Sequence, residues 1–166
     1  MSSITRSIQI ESPAERVWGV LADFGNIYCW NPNVSTSHST SATNEGVGAS
    51  RHCDLRGGSI EERIVAWEDG RSLTIDIFDA QGSPSRLARA TAKFTVEAAN
   101  GRSIVTASLD YRLKGGLLGA LMDALVARRQ LASSFEQLLA GLRRHVTTGE
   151  QIDFGRTLVF TPAIAA

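Results

Sequence analysis

The chain has 166 residues, of which 43% are hydrophobic and 20% charged, a composition typical of one globular domain. Lys and Arg number 17, as do Asp and Glu, and this balance argues against nucleic acid or an anionic membrane as the main partner. Two cysteines without a CxxC motif predict neither a disulfide framework nor a zinc site. No apolar run is long enough to span a membrane, and the N-terminal residues lack the apolar core of a secretory signal. A cytoplasmic location is therefore expected.

The N-terminal part of the chain predicts one strand followed by two short helices. Isoleucines alternate over residues 4–10, as expected for a half-buried strand. Ser12 is a favourable N-cap and Pro13 suits the first helical position, so a helix should begin here. The stretch 25–33 predicts a second short helix or a turn that ends at Pro32.

Residues 34–113 predict about six further strands joined mostly by tight turns. The turns are marked by glycine, most strongly at Asn100-Gly101, a pair typical of two-residue hairpins. Alternating strands of this kind form an antiparallel sheet with one apolar face. Several positions on that face carry alanine where a packed core would have larger side chains: Ala88, Ala90, Ala92 and Ala107. These small residues either leave a cavity or allow a helix to pack more closely.

The stretch from Leu117 to His145 predicts one long helix, because it contains no proline and consists mostly of strong helix formers. At helical spacing, one stripe of it is apolar and includes Phe135 and Leu142, so this helix should cover the sheet. Arg128 falls about 20° from the centre of the apolar stripe. A guanidinium that faces an apolar interior is costly unless it is paired or hydrated. We therefore expect Arg128 either to meet an anionic group in the cavity or to extend along its stem to solvent.

An ordered set of motifs resembles the START/Bet v 1-like (SRPBCC) superfamily, in particular its polyketide cyclase/dehydrase-like branch. The motifs are PAERVW at 13–18, LADF at 21–24, WNP at 30–32, GVGASR at 46–51 and EERIVAW at 61–67, followed by the long helix. The resemblance covers roughly residues 3 to 147 and implies an α+β helix-grip fold. In that fold a curved antiparallel sheet of about seven strands surrounds a long C-terminal helix, and two short helices follow the first strand. A hydrophobic cavity is expected between the sheet and the long helix.

The resemblance divides the chain into a START/Bet v 1-like domain at 1–148 and a C-terminal tail at 149–166. The tail lies outside the usual pattern of the superfamily. Its sequence is consistent with either a flexible segment or an extra strand.

Arg51 and Glu62 are expected to form a buried ion pair. If Cys53 and Ile64 face inward, strand alternation turns Arg51 and Glu62 inward as well. The two strands are joined by the Gly57-Gly58 turn and should be neighbours, and either charge alone would be expensive to bury. The pair either orders the sheet or contacts a ligand. In the opposite register, Val65 and Trp67 would face inward and Glu62 would face solvent.

The cavity is predicted to be lined by residues of the sheet and of the long helix. Tyr111 could pack its ring there while its hydroxyl bonds to a ligand or to the backbone. The predicted ligand-binding residues are Arg51, Glu62, Ile75, Ala90, Ala92, Phe94, Tyr111, Leu121, Leu125 and Arg128. The histidines at 38, 52 and 145 show no metal-binding spacing and are expected at the surface. No catalytic residue, metal ligand or cofactor is assigned.

Three functions are compatible with this sequence. The leading hypothesis is a protein that binds a small hydrophobic or amphipathic molecule, such as a lipid. The alternative is an enzyme of the polyketide cyclase/aromatase type that uses the same cavity. A third hypothesis is an interaction module of the chaperone-regulator kind, and a homodimer is also left open. This fold alone does not separate these functions, because it carries many of them.

Overall fold

Seven strands form a single antiparallel sheet in the computed structural model, which describes residues 2–80, 87–113 and 120–163. The strands are β1 (Ser2–Ile10), β2 (Val34–Ser39), β3 (Ser50–Leu55), β4 (Gly58–Glu68), β5 (Ser72–Asp79), β6 (Leu87–Ala99) and β7 (Arg102–Leu113). Their order across the sheet is β1-β7-β6-β5-β4-β3-β2, so every consecutive pair from β2 to β7 forms a hairpin and β1 closes against the last strand.

Two short helices follow β1, and one long helix follows β7. They are α1 (Ala14–Ala22), a 3₁₀ helix (Phe24–Cys29) and α2 (Ala120–Thr148). The predicted helix-grip fold is thereby confirmed. The predicted first turn of the long helix, at residues 117–119, lies outside the described residues.

Helix α1 begins one residue later than predicted. Pro13 has φ −60° and ψ 151°, so it occupies the N-cap position and the first helical residue is Ala14. Ser12 does not cap the helix with its side chain. It is buried, and its carbonyl accepts a hydrogen bond of 2.6 Å from the Ser103 hydroxyl. Ser12 therefore attaches the start of α1 to β7.

The core lies between the inner face of the sheet and the C-terminal half of α2. Its fully buried large side chains come from the sheet, α1, the 3₁₀ helix, α2 and the C-terminal segment: Ile8, Ile10, Val17, Phe24, Ile64, Leu73, Ile75, Val105, Leu109, Leu139, Leu142 and Ile152. Helix α2 packs on β1, where Arg6 Nε donates to Glu136 Oε1 at 2.7 Å. Toward its N-terminal end the same helix is exposed on more than one face, since Leu125 and Val126 are both more than half exposed. The helix therefore covers the sheet along only part of its length.

A β-bulge in β4 changes which side chains of that strand face the core. The register with β5 shifts between Ile64 and Ala66. Before the shift, Glu62 and Ile64 are buried; after it, Trp67 is opposite Leu73 and packs on the core. Ala66, which an unbroken alternation from Ile64 would turn inward, is exposed. A bulge inserts one extra residue and reverses the alternation, so Trp67 turns to the core after it while Glu62 stays buried before it. Val65, which the opposite register would turn inward, is exposed.

Gly141 allows α2 to approach the main chain of the turn that follows the 3₁₀ helix. A Cβ atom at Gly141 would overlap the carbonyl oxygen of Trp30 and would lie 2.9 Å from Cδ of Pro32. Gly19, in α1, has no neighbouring atom within 4 Å of its Cβ position. The two helical glycines therefore have different roles.

We expect Gly141→Ala to destabilise the protein by several kcal/mol, because the helix would have to move away from Trp30. Gly19→Ala should instead stabilise it by about 0.5–1 kcal/mol, the usual effect of replacing glycine in an open helical position. Urea unfolding of both variants measures the two changes. A small or stabilising effect of Gly141→Ala would show that α2 does not approach Trp30 this closely.

His52 lies on the outer face of the sheet between two carboxylates. Its Nδ1 is 2.6 Å from Glu61 Oε1 and its Nε2 is 3.2 Å from Asp54 Oδ1. The hydrogen bond with Glu61 is the main cause that raises the pKa of His52 above its ordinary value, and Asp54 adds to this effect. The position away from the core agrees with the surface role predicted for this histidine.

Because the pKa of His52 is raised in the folded state, its stabilising effect is fully present below the unfolded pKa of about 6.5. The effect is lost as the pH rises through the folded pKa. We expect wild type to exceed His52→Gln in free energy of unfolding by more at pH 5.5 than at pH 9. Urea titrations at a series of pH values test this, and a difference that is constant with pH would contradict it.

Candidate functional site

A cavity of about 640 Å³ lies between the inner face of the sheet and α2. Its described walls come from the 3₁₀ helix and the turn after it, from β2 to β7, from α2 and from residues beyond α2. The lining residues are Ile27, Asn31, Pro32, Asn33, Val34, Arg51, Cys53, Leu55, Arg56, Ile60, Glu62, Ile77, Ala92, Phe94, Leu109, Gln130, Leu131, Ser133, Ser134, Phe135, Gln137, Leu138, Phe154, Gly155, Arg156 and Thr157. A volume of this size is within the range of small-molecule sites.

Arg51 and Glu62 place one ion pair in the wall of this cavity, as predicted. They are directly opposite each other in the β3–β4 hairpin, and Arg51 Nε lies 2.5 Å from Glu62 Oε2. Only 4% of the Arg51 side chain and 9% of the Glu62 side chain are exposed. Such a short, charge-assisted contact compensates part of the cost of removing both ions from water.

Phe24 makes two further contacts with the guanidinium of Arg51. Its carbonyl oxygen accepts a hydrogen bond of 2.6 Å from Arg51 Nη1, and the centroid of its ring lies 3.7 Å from Arg51 Cζ. The cation therefore stacks on an aromatic face while it bonds to the main chain. These contacts fix the orientation of the arginine and leave it little freedom to follow a ligand.

Two polar atoms of this pair have no protein partner within the described part of the chain. They are Arg51 Nη2 and Glu62 Oε1, which make none of the hydrogen bonds found there. Among the described residues, the one fully enclosed polar side-chain atom without a partner is Trp30 Nε1. Nη2 and Oε1 are not among such fully enclosed atoms, and both residues line the cavity. One donor and one acceptor are thus available to a ligand.

Cys53 adds a thiol next to the ion pair, but this thiol is not prepared for nucleophilic chemistry. Its Sγ lies 3.6 Å from Glu62 Oε2. Burial, and secondly the neighbouring charge of Glu62, raise the pKa of Cys53 far above its ordinary range. Since the thiolate is the reactive form, this cysteine stays a weak hydrogen-bond donor.

The predicted apolar ligand-binding residues of the sheet divide into two groups. Ala92 and Phe94 line the cavity. Ile75, Ala90 and Tyr111 are buried on the same face of the sheet but are not part of the described lining. The small side chains thus leave space at Ala92, while the neighbouring positions belong to the packed layer beside it.

Two of the three ligand-binding residues predicted on α2 do not belong to the described lining, and for Arg128 the solvent-facing alternative applies. Leu125 is 53% exposed, Arg128 is exposed as well, and neither belongs to the described lining. The physical reason is that α2 is exposed on more than one face near residues 125–130, so a place in the apolar stripe does not bring Arg128 to the interior. The side chain of Leu121 lies outside the described residues.

Many lining residues were not predicted, and nine of them have polar side chains. Helix α2 contributes Ser133, Ser134 and Gln137. At about 100° per residue, Ser134 borders the apolar stripe, whereas Ser133 and Gln137 lie on the opposite side of the helix from Phe135, so the stripe gave no signal for these two. The four residues 154–157 come from the C-terminal segment, and no sequence pattern indicated their position.

The C-terminal segment, defined here as residues 149–163, forms neither strand nor helix and packs along the domain. Ile152 is buried, and its amide donates to the carbonyl of Cys29 at 2.9 Å. The side-chain amide of Gln137 forms two hydrogen bonds with the backbone of Leu158, at 2.7 and 2.9 Å. Farther along, the amide of Ala163 donates to Ser7 at 2.9 Å.

The described residues contain no cluster of side chains that would hold a metal ion. Nor does any helix among them combine the length and apolar character that a membrane crossing requires.

Comparisons with known proteins give a family and a fold. Residues 1–147 match the family described as "Polyketide cyclase / dehydrase and lipid transport". The chain is similar to the protein XoxI from Bacillus cereus, with 20% identity, 89% of this chain and 97% of that chain covered, and a TM-score of 0.73. A comparison with curated proteins gave no match.

Two further solved structures show the same fold. A START superfamily protein from Mycobacterium smegmatis has 13% identity and a TM-score of 0.68, with 87% of this chain and 97% of that chain covered. The di-domain ARO/CYC protein BexL from the BE-7585A biosynthetic pathway has 17% identity and a TM-score of 0.68, with 89% of this chain and 47% of that chain covered. The predicted superfamily is confirmed.

We expect removal of either partner of the buried ion pair, by Arg51→Met or Glu62→Leu, to cost about 3–5 kcal/mol, because one charge is left unpaired. The double variant should recover much of this loss, since no buried ion remains. A double-mutant cycle by urea unfolding measures the coupling.

The matched control is the Arg71–Glu68 pair, which has a distance of 3.0 Å but is exposed to solvent. Breaking it by Arg71→Met should cost at most about 1 kcal/mol. If the losses of unfolding free energy at Arg51 and Glu62 were small, additive and equal to that of the control, the two side chains would not form a buried, strongly coupled ion pair.

Proposed function

Because the chain belongs to the polyketide cyclase/dehydrase and lipid transport family, we propose that it binds one small hydrophobic or amphipathic molecule in the cavity between the sheet and α2. The observation that carries this proposal is the cavity of about 640 Å³ whose wall contains one fixed ion pair among apolar side chains. Apolar walls supply affinity, and a few fixed polar groups supply orientation.

In this proposal, Arg51 and Glu62 orient the ligand from the inner wall. Arg51 Nη2 donates to a carbonyl or hydroxyl oxygen, and Glu62 Oε1 accepts from a hydroxyl. Because the two charges neutralise each other, this part of the wall favours a neutral polar group over an ion. Ala92 and Phe94 contact the apolar body of the ligand, and Ile75, Ala90 and Tyr111 form the packed layer that supports them. A cytoplasmic location and a lipid-like ligand belong to the same proposal.

Cyclase-type chemistry is the second candidate, and the accessible oxygen of Glu62 is the observation that favours it. A carboxylate oxygen that faces a cavity can accept a proton from a bound substrate. The bond to Arg51 opposes this role, because a neighbouring cation stabilises the ionised carboxylate and weakens it as a base. Turnover of a poly-β-ketone by wild type, abolished in Glu62→Gln with substrate binding retained, would favour the enzyme; binding without turnover favours the carrier.

We expect Ala92→Leu to weaken binding of N-phenyl-1-naphthylamine, a neutral apolar fluorescent probe, by roughly tenfold or more, because the added side chain fills the cavity. Its effect on stability should be small, because the new side chain enters open space. Fluorescence titration gives the affinity, and urea unfolding gives the stability.

Ala107→Leu is the matched control, because Ala107 is an equally buried alanine of the same sheet that does not belong to the described lining. There the larger side chain should overpack the core and cost about 1–3 kcal/mol, while the affinity for the probe is retained. A wild-type protein that does not bind the probe, or two variants that behave alike, would overturn the proposed binding site.

A further inference from the structure

The C-terminal segment adds to the cavity a wall that the family pattern does not include. The family match ends at residue 147, whereas residues 154–157 line the cavity. The amide of Gly155 donates to the carbonyl of Pro32 at 2.8 Å, which fixes the segment against the turn after the 3₁₀ helix. This wall is therefore a feature of this chain in addition to the family fold.

Arg56 lies where the β3–β4 turn meets this segment. It lines the cavity, and its side chain is exposed. Its Cζ is 5.7 Å from the centroid of the Phe154 ring, and its Nη2 is 3.1 Å from the position that a Cβ atom would take on Gly155. The guanidinium thus stands at the entrance of the cavity, next to the main chain of the segment.

The charges around this entrance leave Arg56 available. Arg144 and Arg156 both form ion pairs with Glu150, at 2.7 and 2.5 Å. Arg56 forms no ion pair within residues 2–80, 87–113 and 120–163. Of the charged residues that line the cavity beyond the Arg51–Glu62 pair, Arg56 and Arg156 are both cationic, and because Arg156 is paired with Glu150, the entrance carries the surplus positive charge of Arg56.

The inner wall and the entrance of the cavity are both polar, but they differ in charge. The inner wall holds the neutralised Arg51–Glu62 pair, where an additional anion would be desolvated without a counter-charge. The entrance holds a free guanidinium that remains in contact with water. An anionic group of a ligand is consequently stabilised at the entrance and not in the interior.

We propose that Arg56, positioned by the C-terminal segment, binds the carboxylate of an amphipathic ligand whose apolar part occupies the cavity. The planar guanidinium can bond to both oxygens of a carboxylate, which an ammonium cannot reproduce. The inference rests on the proposed function. It adds the chemical class of the ligand and its orientation, with the carboxylate at the entrance and the apolar part inside.

The test compares dodecanoate with dodecanol at pH 8 as competitors of N-phenyl-1-naphthylamine. The two ligands share a chain and differ in charge. Arg56→Gln should weaken dodecanoate by roughly tenfold and change dodecanol by less than about twofold. Arg56→Lys should recover only part of the loss. Raising the salt concentration should weaken dodecanoate in wild type but not in Arg56→Gln.

The matched control is Arg63→Gln, which removes one positive charge from the exposed outer face of the same hairpin. It should leave both affinities unchanged. Equal losses in Arg56→Gln and Arg63→Gln, or equal losses for both ligands, would overturn the role of Arg56. If wild type binds the probe and both ligands displace it without any effect of Arg56, this inference alone fails. If wild type does not bind the probe, or neither ligand displaces it, the proposed function fails and this inference with it.

Discussion

The close contact between α2 and the main chain of Trp30 is the constraint on which the rest of the structure depends. Among the described elements, α2 is the main cover of the inner face of the sheet, and its distance from that face decides whether a core or a cavity results. At Gly141 the helix lies directly on Trp30, and nearby Leu139 and Leu142 are fully buried. Toward residue 130 the same helix borders the cavity, and near Leu125 it is largely exposed. Solid packing at one end of α2 thus allows open space along the middle of it.

Much of this arrangement follows from the sequence, because it depends on periodicity. Strand alternation placed Arg51 and Glu62 on the same face, and the short Gly57-Gly58 turn made them neighbours. The cost of burying either ion alone then required the pair that the structure contains, with 2.5 Å between its atoms. A buried ion pair is seldom more stable than apolar residues of similar size. Its presence in the cavity wall fits the ligand-orienting role that we propose for it.

Sequence analysis could not predict the features that do not follow from a repeating pattern of residues. Strict alternation would turn only one of Glu62 and Trp67 inward. The bulge in β4 shifts the register between them, so both face inward. Helical spacing gives the direction of Arg128 about the helix axis, but it cannot give the distance between that part of α2 and the sheet. The position of residues 154–157 depends on hydrogen bonds between distant parts of the chain, which leave no local pattern.

The way in which the C-terminal segment is attached determines which amino-acid substitutions it can accept. Most of its anchoring bonds involve its own main-chain atoms: the amides of Ile152 and Gly155, both polar groups of Leu158, and the carbonyl of Val159. Main-chain atoms are the same for nearly every residue type. Apart from Ile152, which is buried, and Gly155, whose φ is +78°, the path of the segment is therefore largely independent of its side chains. Substitutions at Phe154, Arg156 and Thr157 would change the surface that a ligand meets and leave the backbone in place, so ligand preference can diverge here without a change of fold.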